Sequence, residues 1–203
     1  MLNAIIHGII LSFGLILPLG VQNVFVFNQG ATHKRFVGAL PVVLTASICD
    51  SLLISLAVLG VSVIVFGIFW VKAALLGVGI LFLLYMGYVT WNSKPDANRQ
   101  KTESFTPMKQ VMFAASVSLL NPHAIMDTIG VIGTSSLSYQ GMEKWAFTLS
   151  CIIVSWIWFT GLAIAGHITG KIDTAGKGLA ALNKISALIM WGTALYLIST
   201  LIK

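Results

Sequence analysis

Charge is what this chain has least of. Only 9% of its 203 residues are Asp, Glu, Lys or Arg, and just six are acidic, whereas a soluble domain is typically about one-quarter charged. With 57% hydrophobic residues and a mean hydropathy of +0.93, that scarcity excludes an ordinary soluble fold and implies a membrane protein. Cysteine is also scarce. Cys49 and Cys151 each lie inside an apolar run with no CxxC or Cys/His cluster, so neither a disulfide framework nor a metal site is expected. Signatures of catalysis are missing: the sequence has no HExxH, no GxSxG and no nucleophile–base spacing. The stretch "GKIDTAGKG" fails as a phosphate loop, with five residues between Gly170 and Gly176 and with Gly178 where Ser or Thr would hold magnesium. No enzyme and no cofactor are expected. The net charge of +6 comes from basic residues scattered through short connectors, with no stripe or arm for nucleic acid. "MLNAIIHGIILSFG" lacks both an early Lys or Arg and a cleavage site, which predicts a retained first helix.

Long apolar runs are what is present. A hydrocarbon core takes about 20 residues per helix, and on that ruler spans fall near 3–27, 37–60, 68–91, 109–133, 145–168 and 185–202. The fold expected is an all-α membrane protein of six transmembrane helices, a single transporter domain over 1–203. A polar linker at about 92–108 separates one half (about 1–91) from the other (about 109–203), and Thr106-Pro107 reads as an N-cap with proline at the first helical position. Trp70, Trp91 and Trp145 fall at span ends and read as interface anchors. Lys34, Arg35, Lys94, Arg99, Lys101, Lys109, Lys171, Lys177 and Lys184 share one side, against Lys72, Lys144 and Lys203 on the other. The excess of positive charge inside puts the first group in the cytoplasm and both termini outside the cell (inner) membrane.

Laying Pro18 on Pro122 also lays Asn23 on Asp127, an offset of 104 residues, and brings Asp50 near Ser155 and Trp156. With three helices per half the second half is inserted upside down, which predicts two inverted three-helix repeats with proline-broken first and fourth helices. Pro18 and Pro122 each remove an N–H and clash with the carbonyl one turn earlier, freeing backbone groups that lipid cannot satisfy. Gly20, Gln22 and Asn23 follow the first break; Asn121, His123 and Asp127 surround the second. Such a site suits a ligand carrying both an amine and a carboxylate. Asp50 and Asp127 are the acids inside spans, and an intramembrane carboxylate costs about 2.5–3.5 kcal/mol on insertion scales, which marks both as functional candidates. The bland alternative has Asp50 bonded through Ser47 or Ser51 of its own helix. His123 reads first as a donor to a freed carbonyl and second as a proton relay. His7 and His167 read as packing or interface residues. Trp156 and Trp158 fall on nearly opposite faces of the fifth helix, so at most one is expected to face a cavity. Gly77, Gly79, Gly87, Gly161 and Gly166 read as close-packing positions.

"LPLGVQN" (17–23), Cys49-Asp50, "LNPHAIMDT" (120–128) and "WFTGLAI" (158–164) together resemble the LysE family of bacterial amino-acid exporters over nearly the whole chain, with the lysine and arginine exporter branch most similar. The sequence departs from that pattern at Val21, where the branch reads proline, and at Ala124-Ile125-Met126. The resemblance implies export of a basic amino acid, with roles carried onto Pro18, Gly20, Gln22, Asn23, Asp50, Asn121, Pro122, His123 and Asp127. A cationic substrate needs a carboxylate partner in a dry site, and moving its charge outward against the membrane potential takes about 2.3 kcal/mol per 100 mV. A carboxylate that holds either a proton or the substrate, but not both, would couple the two as antiport. Export of neutral amino acids or another small solute is the nearest alternative. A thiol relay through Cys49 and Cys151 and a non-transporting scaffold are alternatives of other classes. Lysine against arginine, the coupling ion and homo-oligomerisation stay open.

Overall fold

The computed structural model describes residues 1–17, 20–60, 105–120, 124–125 and 128–172, with scattered helical positions from 77 to 92 and from 181 to 198. All regular elements among them are helical. The expected third and sixth spans, the linker, and Pro18, Asn121, Pro122, His123 and Asp127 lie wholly or largely outside the described residues.

The first span is two helices, α1 (Leu2–Ile16) and α2 (Val21–Thr32), whose axes differ by 80°. A proline between them explains the interruption, since it cannot donate to the ladder. After a 3₁₀ turn at Phe36–Ala39 comes α3 (Leu40–Val58), with Pro41 in its first turn where no N–H is needed. It ends at Gly60, whose φ of +84° suits glycine and whose N–H reaches the Ala57 carbonyl at 3.2 Å. The next helix, α4 (Pro107–Leu120), starts as the sequence predicts: Pro107 is its first residue, and the Lys109 N–H donates to Thr106 Oγ1 at 3.4 Å. A π-helical segment at Thr128–Gly133 and a helical turn at Thr134–Ser136 follow. The longest element is α5 (Gly141–Ile172). It outruns the apolar window 145–168 because hydropathy marks only the hydrocarbon-matched part, while Glu143, Lys144 and Lys171 extend it into polar surroundings.

Two apolar clusters fix the directions of these elements. One joins Ala4, Ile54, Val58, Ile132, Phe147 and Cys151; the other joins Val26, Ala39, Val42, Ala114, Phe159 and Ala163. The start of α1, the end of α3, the π segment and the start of α5 therefore share one end of the molecule. The end of α2 and the starts of α3 and α4 share the opposite end. The path α1–α2 thus runs against 107–136, and α3 runs against α5. At the first end the N-terminal ammonium pairs with Glu143. At the second, fully buried Gln110 donates from Nε2 to the carbonyls of Gly38 (2.9 Å) and Phe105 (3.0 Å), with His33 Nε2 at 3.1 Å.

Ile16 and Thr32, moved on by 104, fall on Leu120 and Ser136, the last residues of α4 and of the helical turn. Gly87 and Trp191 are also 104 apart, and a Cβ on Gly87 would strike the Trp191 ring. Trp91, expected only as an interface anchor, packs its ring 5.5 Å from that of Trp191 and carries Lys184 Nζ 5.7 Å from its centroid. Trp145 is exposed, as an anchor would be, and Trp70 lies outside the described residues.

The outer faces are apolar. Leu44, Ile48, Leu52 and Leu56 on α3, and Leu149, Ile153, Ile157, Ile164 and Ile168 on α5, stay exposed at helical spacing, the inverse of a soluble helix. Phe36–Val58 and Gly141–Ile172 are each long and apolar enough to cross a membrane, and α1 with α2 passes as a third, bent span.

Candidate functional site

Small residues bring the polar groups together. A Cβ on Gly30 would meet the Ala163 carbonyl oxygen at 2.2 Å, and one on Gly170 would meet that of Ala31 at 2.3 Å. Gly166 likewise lies against the Phe27 backbone, so α2 rests on α5 with little side chain between them. Gly8 lies as close to Phe147 and Ser150, which seats α1 on the same helix. The expected close-packing role holds for Gly166 and Gly87. Gly161 and Gly77 have nothing within 4 Å among the described residues; small size in the sequence does not fix the rotation of a helix. Gly79 lies outside the described residues.

That approach places Asn23, in the first turn of α2, across the break from the end of α1. Its Nδ2 donates to the Ile16 carbonyl at 2.7 Å, and its Oδ1 accepts from Trp158 Nε1 at 3.2 Å. The two contacts define the orientation of the amide, since a carbonyl can only accept and an indole N–H can only donate. Asn23 therefore satisfies one of the carbonyls that the break leaves over. Its neighbour Gln22 is 9% exposed and its Nε2 has no hydrogen-bond partner among the described residues. Gly20 precedes α2 in an extended conformation (φ −81°) that any residue adopts, with nothing among the described residues where a side chain would stand and no side-chain cap on the helix.

Asp50 lies half-buried on α3 and accepts a hydrogen bond from Ser155 Oγ of α5. It is not held by its own helix: Ser51 Oγ donates to the Ser47 carbonyl at 2.7 Å instead. Beside this contact, Trp156 Nε1 donates to Ser51 Oγ at 3.1 Å. Trp156 and Trp158, expected on nearly opposite faces with at most one turned inward, thus both direct an indole N–H at a neighbouring helix. The contacts fit the expected correspondence of Asp50 with the region of Ser155 and Trp156. Ser155 and Trp158 are not among the site residues expected from the sequence; the correspondence with Asp50 is the signal that points to Ser155, and Trp158 opens the "WFTGLAI" stretch that carries part of the family resemblance.

The second break lies outside the described residues, but its flanks do not. Ile125 and Ile129 pack on Leu53 and Ala57, about one and two turns beyond Asp50. His7 Nδ1 meets Tyr139 OH at 2.9 Å and His167 lies edge-on to Phe36, both packing roles as expected. Cys49 and Cys151 are free and buried; Cys151 donates to the Gly8 carbonyl at 3.6 Å, and Cys49 lies beside Ser118. No group of His, Cys, Asp and Glu among the described residues could hold a metal ion.

Comparison with known proteins adds the lineage of this arrangement. The family described as "LysE type translocator" matches residues 13–201. The chain is 60% identical to the "Putative amino-acid transporter YisU" of Bacillus subtilis (strain 168), covering 96% of this chain and 89% of that one. It is 32% identical to the "Arginine exporter protein ArgO" of Escherichia coli (strain K12), covering 94% and 91% of the two chains. The protein of that name from Enterobacter sp. (strain 638) is 30% identical, over 97% of this chain and 94% of its own. No solved structure matches the chain.

Proposed function

The chain belongs to the LysE type translocator family, and from that premise we propose that it exports basic amino acids, L-arginine or L-lysine, from the cytoplasm in exchange for protons. The coarser statement needs no proposal: it is a multi-pass membrane transporter of the amino-acid exporter family and not an enzyme. The observation that carries the finer reading is Asp50. Among the described residues it is the one carboxylate in the interior of a span, its hydrogen bond comes from the neutral Ser155, and the one ion pair present, Met1 with Glu143, is elsewhere. A carboxylate kept in a membrane with no cationic partner among the described residues fits a group that receives its cation from outside the fold.

The remaining roles follow from the chemistry of an amino acid. The uncapped first turn of α2, with Gln22, suits the substrate α-carboxylate, since helix N-termini favour anions. Asn23, Asn121 and backbone freed at Pro18 and Pro122 serve the α-amino end, with Gly20 leaving room. Asp50 and Asp127 divide the substrate cation and the exchanged proton between them, and His123 donates to a freed carbonyl or relays the proton. The antiparallel courses of 2–32 and 107–136, and their common spacing of 104, support two inverted three-helix repeats with the site between them. The inner membrane with both termini outside is the matching localisation.

The test is efflux from proteoliposomes loaded with labelled arginine, lysine or a neutral amino acid. Uphill loss of arginine or lysine that stops when the proton gradient is collapsed is the expected result, and Asp50→Asn and Asp127→Asn should each stop it while leaving protein in the membrane. Efflux confined to neutral amino acids would move the substrate class. Both Asn variants exporting at the parental rate would overturn the carboxylate account.

A further inference from the structure

Ser155 and Trp158 stand three residues apart, on one face of α5, and their donors reach two candidate site residues on two other helices, Asp50 of α3 and Asn23 of α2. Ser155 is 2% exposed, so its hydroxyl is turned into the protein. We propose that Ser155 and Trp158 are positioning residues of the transport site, with Ser155 following Asp50 through its change of protonation.

The geometry around Ser155 supplies the means. Its Oγ lies between two acceptors, Asp50 Oδ2 and the Cys151 carbonyl at 3.5 Å. With Asp50 ionised, the Ser155 hydrogen points to Oδ2. When Asp50 takes up a proton, its new O–H donates to Ser155 Oγ, and the Ser155 hydrogen turns to the Cys151 carbonyl. One hydroxyl, which both donates and accepts, thus keeps Asp50 bonded in both states without moving a helix. An amide or ammonium could not exchange roles in this way. Trp158 acts more simply, because its indole N–H holds Oδ1 of Asn23 and so keeps Nδ2 on the Ile16 carbonyl across the break.

This rests on Asp50 being a working carboxylate, and the experiment separates the two ideas. Full-length protein in proteoliposomes is assayed for arginine efflux across a range of pH, with melting temperature in detergent measured alongside. Asp50→Asn should stop uphill export. Ser155→Ala should melt close to the parent, export roughly ten- to a hundredfold more slowly, as expected for losing a hydrogen bond to a charged group, and displace the pH profile. Ser155→Thr, which restores a hydroxyl, should recover both rate and profile. Trp158→Phe, which keeps the ring but loses the N–H, should raise KM several-fold and leave the pH profile in place. If Asp50→Asn is inactive while Ser155→Ala keeps the parental pH profile, or if Ser155→Thr is no better than Ser155→Ala, Ser155 is structural only and the proposal is overturned. If Asp50→Asn exports at the parental rate, the carboxylate reading itself is wrong and the proposal goes with it.

Discussion

At the scale of single residues, Gln22 is a candidate site residue whose burial is not explained by a partner among the described residues. A buried amide donor left without a partner costs about 1–3 kcal/mol, and among the described residues Gln22 Nε2 has none, beside an uncapped helix start. Substrate binding would supply the missing acceptor. Gln22→Leu, close in size and with nothing to satisfy, should therefore leave the melting temperature unchanged or raise it, while KM for the exported amino acid rises roughly ten- to a hundredfold, the value of one hydrogen bond to a charged carboxylate. A fall in melting temperature with an unchanged KM would make Gln22 a structural residue. Asn23 beside it offers a contrast, because both ends of its amide are engaged within the protein. The sequence makes Gln22, Asn23 and Asp50 conspicuous because polar groups are rare in apolar runs. It does not make their partners conspicuous: serines are scattered through α3, α4 and α5, and a tryptophan is as often an anchor as a donor. Which serine meets Asp50 depends on the rotation of α5 about its axis, a property of packing and not of composition.

At the scale of elements, breaks were legible and close approaches were not. Proline states its effect locally, so the interruption of the first span and the start of α4 at Pro107 could both be read before any packing was known. Glycine does not, since its use depends on what stands opposite. Gly166 and Gly161 give the test. Both lie on α5, yet a Cβ at 166 would come within 2.0 Å of the Phe27 carbonyl oxygen, whereas one at 161 meets nothing among the described residues. Gly166→Ala should force α2 off α5 and destabilise by about 1–3 kcal/mol, the usual range for overpacking. Gly161→Ala should be neutral or slightly stabilising, as alanine is the better helix former. Melting temperatures of the two purified variants decide the matter. Equal effects would mean that α2 and α5 do not approach as closely as described.

At the scale of the whole molecule, the arrangement of ends and the distribution of charge are independent observations that bear on one question. Packing alone puts Met1 beside Glu143 at one end and Gln110, Gly38, Ala31 and Gly170 at the other. Each connector that leaves the second end is among the more basic ones, so that nine of the twelve Lys and Arg residues lie on connectors assigned to it. Geometry cannot say which end faces the cytoplasm, and charge cannot say which residues share an end; the proposed orientation needs both. In a background with Cys49 and Cys151 replaced by alanine, a single cysteine at Lys34 or Lys171 should react with a membrane-impermeant maleimide only after the cells are opened. One at Glu143 should react in intact cells. The background itself should still export, because both thiols are free and the carboxylate account gives them no role; loss of export on removing them would revive the thiol-relay reading. Labelling of positions 34 and 143 from the same side would break the link between packing and topology, and with it the antiparallel halves on which alternating access to one central site depends.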